Sequence, residues 1–303
     1  MSTAHRQIPS VEALPRRPLH AERLCLRACA SADGVHRRAG RRGVGGVRAP
    51  GTGVAALARE GGRMIQLLHG DSALVLPTLP NGSIDLTVTS PPYDNLRLYN
   101  GFTFDFETIA RELYRVTKPG GVVVWVVGDA TVNGSETLTS FRQAIFFHDI
   151  GFNVHDTMIY EQAGTGAKGS NLGYWQTFDY MFVLSKGTPK TVNRIKDRKN
   201  ITIGMKRGGR VNIDGTPKKE EQHLTSEVGI RSNIWRYAVG FTDSSDNVDH
   251  PAVFPESLAR DHILSWSNPG DTVLDPFVGS GTTGKMAVLN NRKFIGRRSS
   301  LRS

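Results

Sequence analysis

Between residues 65 and 296, short apolar runs of strand length alternate with stretches of helical spacing, and no other feature restricts the fold as much. Residues 65–69 read as a strand, followed by the turn Gly70-Asp71-Ser72, where Asp71 or Ser72 is placed to cap a helix. Residues 84–89 (IDLTVT) read as a second strand. It ends abruptly at Ser90-Pro91-Pro92-Tyr93, because two prolines cannot continue a central strand. Residues 106–117 have helical spacing, Lys118-Pro119-Gly120-Gly121 stops it, and the β-branched run 122–127 reads as a buried strand. A helix over 138–150, strands over 152–160 and 178–184, a helix over 255–266, a strand over 272–274, a helix over 283–289 and a strand over 293–296 complete the pattern. Strands alternating with helices predict an α/β fold with a doubly wound, mostly parallel sheet.

Composition separates the first 63 residues from the rest. They hold 12 Arg, no Lys and 4 acids and lack Phe, Tyr, Trp and Asn, so they carry most of the formal charge of +10. Such a segment cannot supply a packed core and is expected to be disordered or non-native. Three readings stand: a basic arm on DNA phosphates, a transit-like leader, or a start placed upstream of a true first residue at Met64. The third is favoured because the regular pattern begins at Ile65. Cys25 and Cys29 are the only cysteines, so the body has no disulfide framework or Cys-rich metal site, which fits a reducing cytoplasm. No apolar run approaches the roughly 20 residues of a membrane span.

The pattern breaks over residues 186–249, and residues 186–219 carry 11 Lys and Arg against Asp197 and Asp214. Such a run is either a solvated loop or a nucleic-acid surface. On the second reading Lys196, Arg198, Lys199, Lys206, Arg207 and Arg210 are the DNA-contact candidates.

Two motifs carry chemistry. Asp275-Pro276-Phe277-Val278-Gly279-Ser280-Gly281-Thr282 lies between a strand and a helix, where its glycines let backbone N–H groups approach a ligand. It lacks the spacing of a phosphate-binding GxxxxGK[ST] loop or a dinucleotide GxGxxG turn. Ser90-Pro91-Pro92-Tyr93 offers a hydroxyl, a carbonyl outside any ladder and an aromatic ring, held rigid by proline. A base's exocyclic amino group is a poor nucleophile because its lone pair is conjugated. The Ser90 hydroxyl and Pro91 carbonyl can accept its two hydrogens and localise that pair while Tyr93 stacks on the base.

Together these motifs closely resemble the S-adenosylmethionine-dependent DNA amino-methyltransferases, in the permuted group whose catalytic half precedes its cofactor half. The resemblance covers residues 65–296. It implies a circularly permuted, Rossmann-like methyltransferase fold, with a catalytic half at 64–185, a target-recognition insertion at 186–249 and a cofactor half at 250–303. Ser90, Pro91, Pro92 and Tyr93 would be catalytic, with Tyr93 and Tyr160 on the target base. The cofactor would be held by Asp275, Pro276, Phe277, Gly279, Ser280, Gly281 and Thr282, by Asp71, and by His250, Pro251, Ala252, Phe254, Pro255 and Glu256. Asp71 as a plain helix cap and Tyr160 as a core aromatic remain alternatives. His250 has no metal-ligand partners at useful spacing, and no metal is expected. The implied partners are double-stranded DNA and a cognate restriction endonuclease of a restriction-modification pair, in the cytoplasm.

Ser90, where an Asp would resemble the adenine-N6 enzymes, favours cytosine N4 as the target, with adenine N6 the alternative. Cytosine C5 chemistry needs a thiolate, and the body has no cysteine. One departure stands out. After residues 293–296 the family places, one residue further on, an acid for the cofactor ribose, and then a closing helix. Here Arg297-Arg298-Ser299 follow and the chain stops at Ser303, which reads as a truncation. An active enzyme and a DNA-binding remnant with little activity are both left open.

Overall fold

The computed structural model describes residues 53–60, 63–92, 104–164, 173–205, 212–216, 224–238 and 254–298. In chain order the elements are β1 (Gly53–Glu60), β2 (Arg63–His69), α1 (Ser72–Val75), β3 (Ile84–Thr89), α2 (Phe106–Val116) and β4 (Thr117–Val127). A small hairpin follows, β5 (Thr131–Val132) and β6 (Ser135–Glu136), then α3 (Thr139–Asp149), β7 (Asn153–Ala163) and β8 (Phe178–Ser185). Next come β9 (Lys196–Lys199), β10 (Val228–Ile230), β11 (Ile234–Ala238), α4 (Glu256–Trp266), β12 (Thr272–Asp275), α5 (Thr282–Leu289) and β13 (Lys293–Arg298).

Nine strands form one sheet in the order β1-β2-β13-β12-β3-β4-β8-β7-β11. The five from β2 to β4 are mutually parallel, β8 is antiparallel to both neighbours, and β11 is parallel to β7. This is the expected doubly wound, mostly parallel sheet. Central strands are apolar because both faces are covered. Val122 to Val127 are all buried, with alternate residues packing into opposite cores. One core lies under α4 and α5 through Leu258, Ile263, Met286 and Ala287; the other lies under α1, α2 and α3 through Val75, Ile109, Leu113 and Phe147. Helix α2 shows how the pattern acts locally. Asp105 Oδ1 accepts from Thr108 N at 3.2 Å at its start, and Ile109, Ala110, Leu113 and Val116 form its buried stripe.

Three expectations are corrected. The sheet does not begin at residue 65: β2 starts at Arg63, and the backbone of residues 53–60 pairs with it as β1. An edge partner needs only main-chain groups, so a segment without core composition can still take that place. The Lys118-Pro119-Gly120-Gly121 turn lies within β4, because Gly120 N donates to Lys186 O at 2.7 Å and Lys186 N to Gly121 O at 3.1 Å. Gly120, at φ 77°, supplies the backbone conformation this bend needs. Finally, the stretch assigned to the insertion holds β11, a strand of the main sheet, whose mixed exposure gives no apolar run to read.

His262 on α4 sits fully buried, its ring 4.6 Å from that of Trp235 and its Nε2 3.2 Å from Met181 Sδ. Burial pushes its pKa down from 6.5 to about 3, against a smaller upward pull from Asp261. The ring therefore stays neutral in the fold while the unfolded chain takes up a proton below pH 6.5. Stability contributed by this group is present above pH 6.5 and is lost at about 1.4 kcal/mol per pH unit as pH falls toward the folded value. Thermal melts of wild type and His262→Leu across this range should show a shallower acid slope in the variant; parallel slopes would reject the assignment.

Candidate active site and nucleic-acid interface

The crossover β3-α2-β4 runs to one side of the sheet and β12-α5-β13 to the other, on opposite faces. The chain directions therefore diverge between β3 and β12, and the carboxyl ends of two such strands are where ligands bind in open sheets of this kind. Leu274 pairs with Thr87, which brings Thr89 and Asp275 together at that edge.

Four loops are tied together there. Thr89 Oγ1 donates to Asp275 Oδ1 at 2.7 Å, and Phe277 N donates to the same oxygen at 3.0 Å. Ser72 Oγ donates to the Pro276 carbonyl at 2.7 Å, and Val278 N to the Arg297 carbonyl at 3.1 Å. The Arg297 guanidinium in turn donates to the Gly70 carbonyl. Burial pushes the Asp275 carboxyl up, partly offset by bonds from Thr89, Phe277 N and Thr283. A Cβ on Gly296 would lie 2.6 Å from Val278 Cγ2, so only glycine lets the loop after β12 lie this close to β13.

At this edge the structure places Ser90, half-buried, directly after Thr89, followed by the buried Pro91 and half-buried Pro92. The loop after β12 runs from the buried Asp275 and Pro276 through half-buried Phe277, exposed Gly279 and half-buried Ser280 to buried Gly281 and Thr282. Gly281, at φ 88°, precedes α5; no side chain caps that helix, and the Ser280 and Thr282 hydroxyls lie 2.9 Å apart. An uncapped helix start beside hydroxyls suits a carboxylate such as that of an amino-acid moiety. Phe254 packs on the core, Pro255 precedes α4, and Glu256 pairs with Lys285 of α5 at 2.9 Å, fixing the two helices together. Asp71 is exposed and caps α1, its Oδ1 accepting from Ala73 N at 2.8 Å. Tyr93, His250, Pro251, Ala252, Lys206, Arg207 and Arg210 lie outside the described residues.

Tyr160 is 4 % exposed and lies in the core, its ring 6.3 Å from that of Tyr237. Desolvation, with the Asp179 charge, raises its pKa. This is the setting of a packing aromatic. Lys196, Arg198 and Lys199 stand exposed on β9, which pairs with β10 as a two-stranded ribbon. Arg198 Nε donates to the Ile230 carbonyl across it at 3.1 Å.

A network that the sequence did not suggest anchors this ribbon. Arg231 donates to Asp197 of β9 at 2.9 Å, to Tyr237 Oη of β11 at 2.9 Å and to Asp261 Oδ2 of α4 at 2.7 Å. Tyr237 Oη donates to Asp261 Oδ2 at 2.7 Å, and the guanidinium lies 5.2 Å from the Trp235 ring. Its two carboxylates, Asp197 and Asp261, lie 34 and 30 residues from Arg231 in sequence, and no local pattern announces them. Among the described residues no cluster of His, Cys, Asp and Glu could hold a metal, and no helix is long and apolar enough to cross a membrane.

The family model described as DNA methylase, covering N6 and N4 methyltransferases, matches residues 84–300. The chain belongs to this family of DNA amino-methyltransferases. Its cofactor is S-adenosylmethionine. The chain is 58% identical over 221 residues to the orphan methyltransferase M.BamHII of Bacillus amyloliquefaciens, across 71% of this chain and 83% of that protein. It is 28% identical over 261 residues to the DNA adenine methyltransferase YhdJ of Escherichia coli, across 78% of this chain and 79% of that one. In structure it is similar to the PvuII DNA methyltransferase (cytosine-N4-specific), with a TM-score of 0.56 and 20% identity over 78% of this chain and 82% of that one. The last likeness is one of fold.

Proposed function

We propose that this methyltransferase modifies the N4 amino group of cytosine in double-stranded DNA, with Ser90 to Tyr93 as the acceptor loop and the loop after β12 as the donor loop. The observation that carries the reading is the Thr89–Asp275 bond, which joins the residue before Ser90 to the first residue of the donor loop. A hydroxyl at Ser90, where a carboxylate would resemble the adenine enzymes, is what favours cytosine.

Asp275, Pro276, Phe277 and Gly279 to Thr282 would hold the cofactor with Phe254, Pro255 and Glu256, its carboxylate at the start of α5. When bound, S-adenosylmethionine would supply an electrophilic methyl group, the bond from the amino nitrogen to the methyl carbon forming as the methyl–sulfonium bond breaks and the thioether product leaves. The Ser90 hydroxyl and Pro91 carbonyl accept the two amino hydrogens, turn the nitrogen lone pair toward the donor loop and lead the released proton to solvent. Proline rigidity keeps both acceptors in place without reorganisation. Tyr93 covers the flipped base, and Lys196, Arg198, Lys199, Lys206, Arg207 and Arg210 contact phosphates from the insertion. Asp71 and Tyr160, placed as a helix cap and a core ring, have supporting roles. Adenine N6 is the competing acceptor, favoured by the identity to YhdJ.

Ser90→Ala should slow methyl transfer on the order of 10- to 100-fold while equilibrium dialysis finds cofactor affinity unchanged. Unchanged turnover, or parallel loss of affinity and turnover, would remove Ser90 from the acceptor role.

A further inference from the structure

Of the four Trp residues, Trp125, Trp235 and Trp266 are at most 9% exposed, whereas Trp175 is 66% exposed and its neighbour Tyr174 102%. They lie between β7 and β8. This connection is at the same sheet edge as Ser90, because β4 and β7 both run antiparallel to β8 and β4 is parallel to β3. Register fixes how far it projects. Thr89 is level with Trp125, Phe182 and Thr157, so the end of β8 at Phe178 stands four residues, or about 13 Å, beyond the end of β3. The base of the projection is firm: Gln162 N donates to the Thr177 carbonyl at 2.7 Å and Gln162 Nε2 to Asp179 Oδ2 at 2.6 Å.

We propose that Trp175, with Tyr174 beside it, is a base-stacking wedge that enters the DNA helix at the site of opening and fills the place the target base vacates. The projection reaches past the end of β3, from which the acceptor loop starts. A large exposed ring loses its unfavourable hydration by stacking on a nucleobase, and such stacking requires no particular sequence. The wedge offsets the unstacking that flipping demands, so its contribution is confined to paired targets. The inference rests on the family's DNA methylation and is independent of which base receives the methyl.

The test uses the full chain and a duplex carrying the site that the wild type methylates, with the target base either paired or opposite a mismatch. Trp175→Ala should lose on the order of tenfold in kcat/KM on the paired duplex and little on the mismatched one, with unchanged thermal stability and cofactor affinity, and Trp175→Phe should recover most of the loss. Equal loss on both substrates would assign Trp175 to the flipped base or to general DNA affinity and overturn the wedge. No loss on either would make it a surface residue only. Absence of methylation by the wild type would instead contradict the activity itself.

Discussion

Asp275→Ala is expected to slow methyl transfer by at least about 100-fold and to weaken cofactor binding, because a displacement near 1 Å of a reacting group is enough for a loss of that size. The carboxyl sits at the junction of the two chemical loops. Its removal leaves Thr89 Oγ1 and Phe277 N without their acceptor in a buried site and opens a cavity under the donor loop. Each stranded donor costs about 1–3 kcal/mol, so the melt should show a stability loss of about 2–6 kcal/mol. Asp275→Asn separates geometry from charge. Its amide oxygen can still accept from both donors, and burial already disfavours the charged form of the native carboxyl. It should keep most of the stability and cofactor affinity. An Asn variant as impaired as Ala would mean that the negative charge, and not the clamp, is what Asp275 supplies.

Arg231→Met is expected to lower stability by about 3 kcal/mol, measured by denaturant unfolding. Asp261 is 4% exposed at its side chain, and Arg231 contributes a direct cation to it at 2.7 Å. Deleting the cation leaves a carboxylate in the fold with Tyr237 and the more exposed Arg260 as its remaining partners. The pair with Asp197, which is 46% exposed, adds little to stability, because solvent screens it. That weaker pair instead holds β9 in register with α4, so the same variant should bind DNA less well while keeping its cofactor. Asp261→Asn in the Arg231→Met background should recover part of the stability, since a neutral amide needs no counter-ion. Failure of the double variant to recover any would show that the loss comes from packing around Trp235 and not from the stranded charge.

Much of the sheet was legible because its central strands carry their own signal. Val122 to Val127 are buried on both faces and read as an uninterrupted apolar run, and Ile84–Thr89 is buried except at Asp85, with Ile84, Leu86 and Val88 as its apolar signal. The loop 275–282 was legible because close backbone approach and a left-handed residue at Gly281 demand glycine, and that demand is written locally. Edge elements were harder. β11 alternates exposed and covered positions and took its place only by pairing with β7, a contact with no trace in its own composition. β1 is placed by its backbone pairing with β2. At the site, the sequence pointed to Asp275 as a cofactor contact, and the structure adds a second role, since its carboxyl also accepts from Thr89 Oγ1 and Phe277 N and so ties two loops together. Asp71 caps a helix and Tyr160 packs in the core, two plain readings that local residue type had left open beside the functional ones. The Arg231 network was illegible for a different reason: a buried ion pair is a relation between distant positions, and no window of sequence contains both ends.

The most direct measurement of the central claim is incubation of the purified chain with methyl-labelled S-adenosylmethionine and mixed-sequence duplex DNA, followed by digestion to nucleosides and chromatography of the label. The expected result is label in 4-methylcytosine, transferred by the wild type and strongly reduced in Ser90→Ala. Label in 6-methyladenine would contradict the cytosine assignment, and no label in any nucleoside would contradict the proposed reaction as a whole.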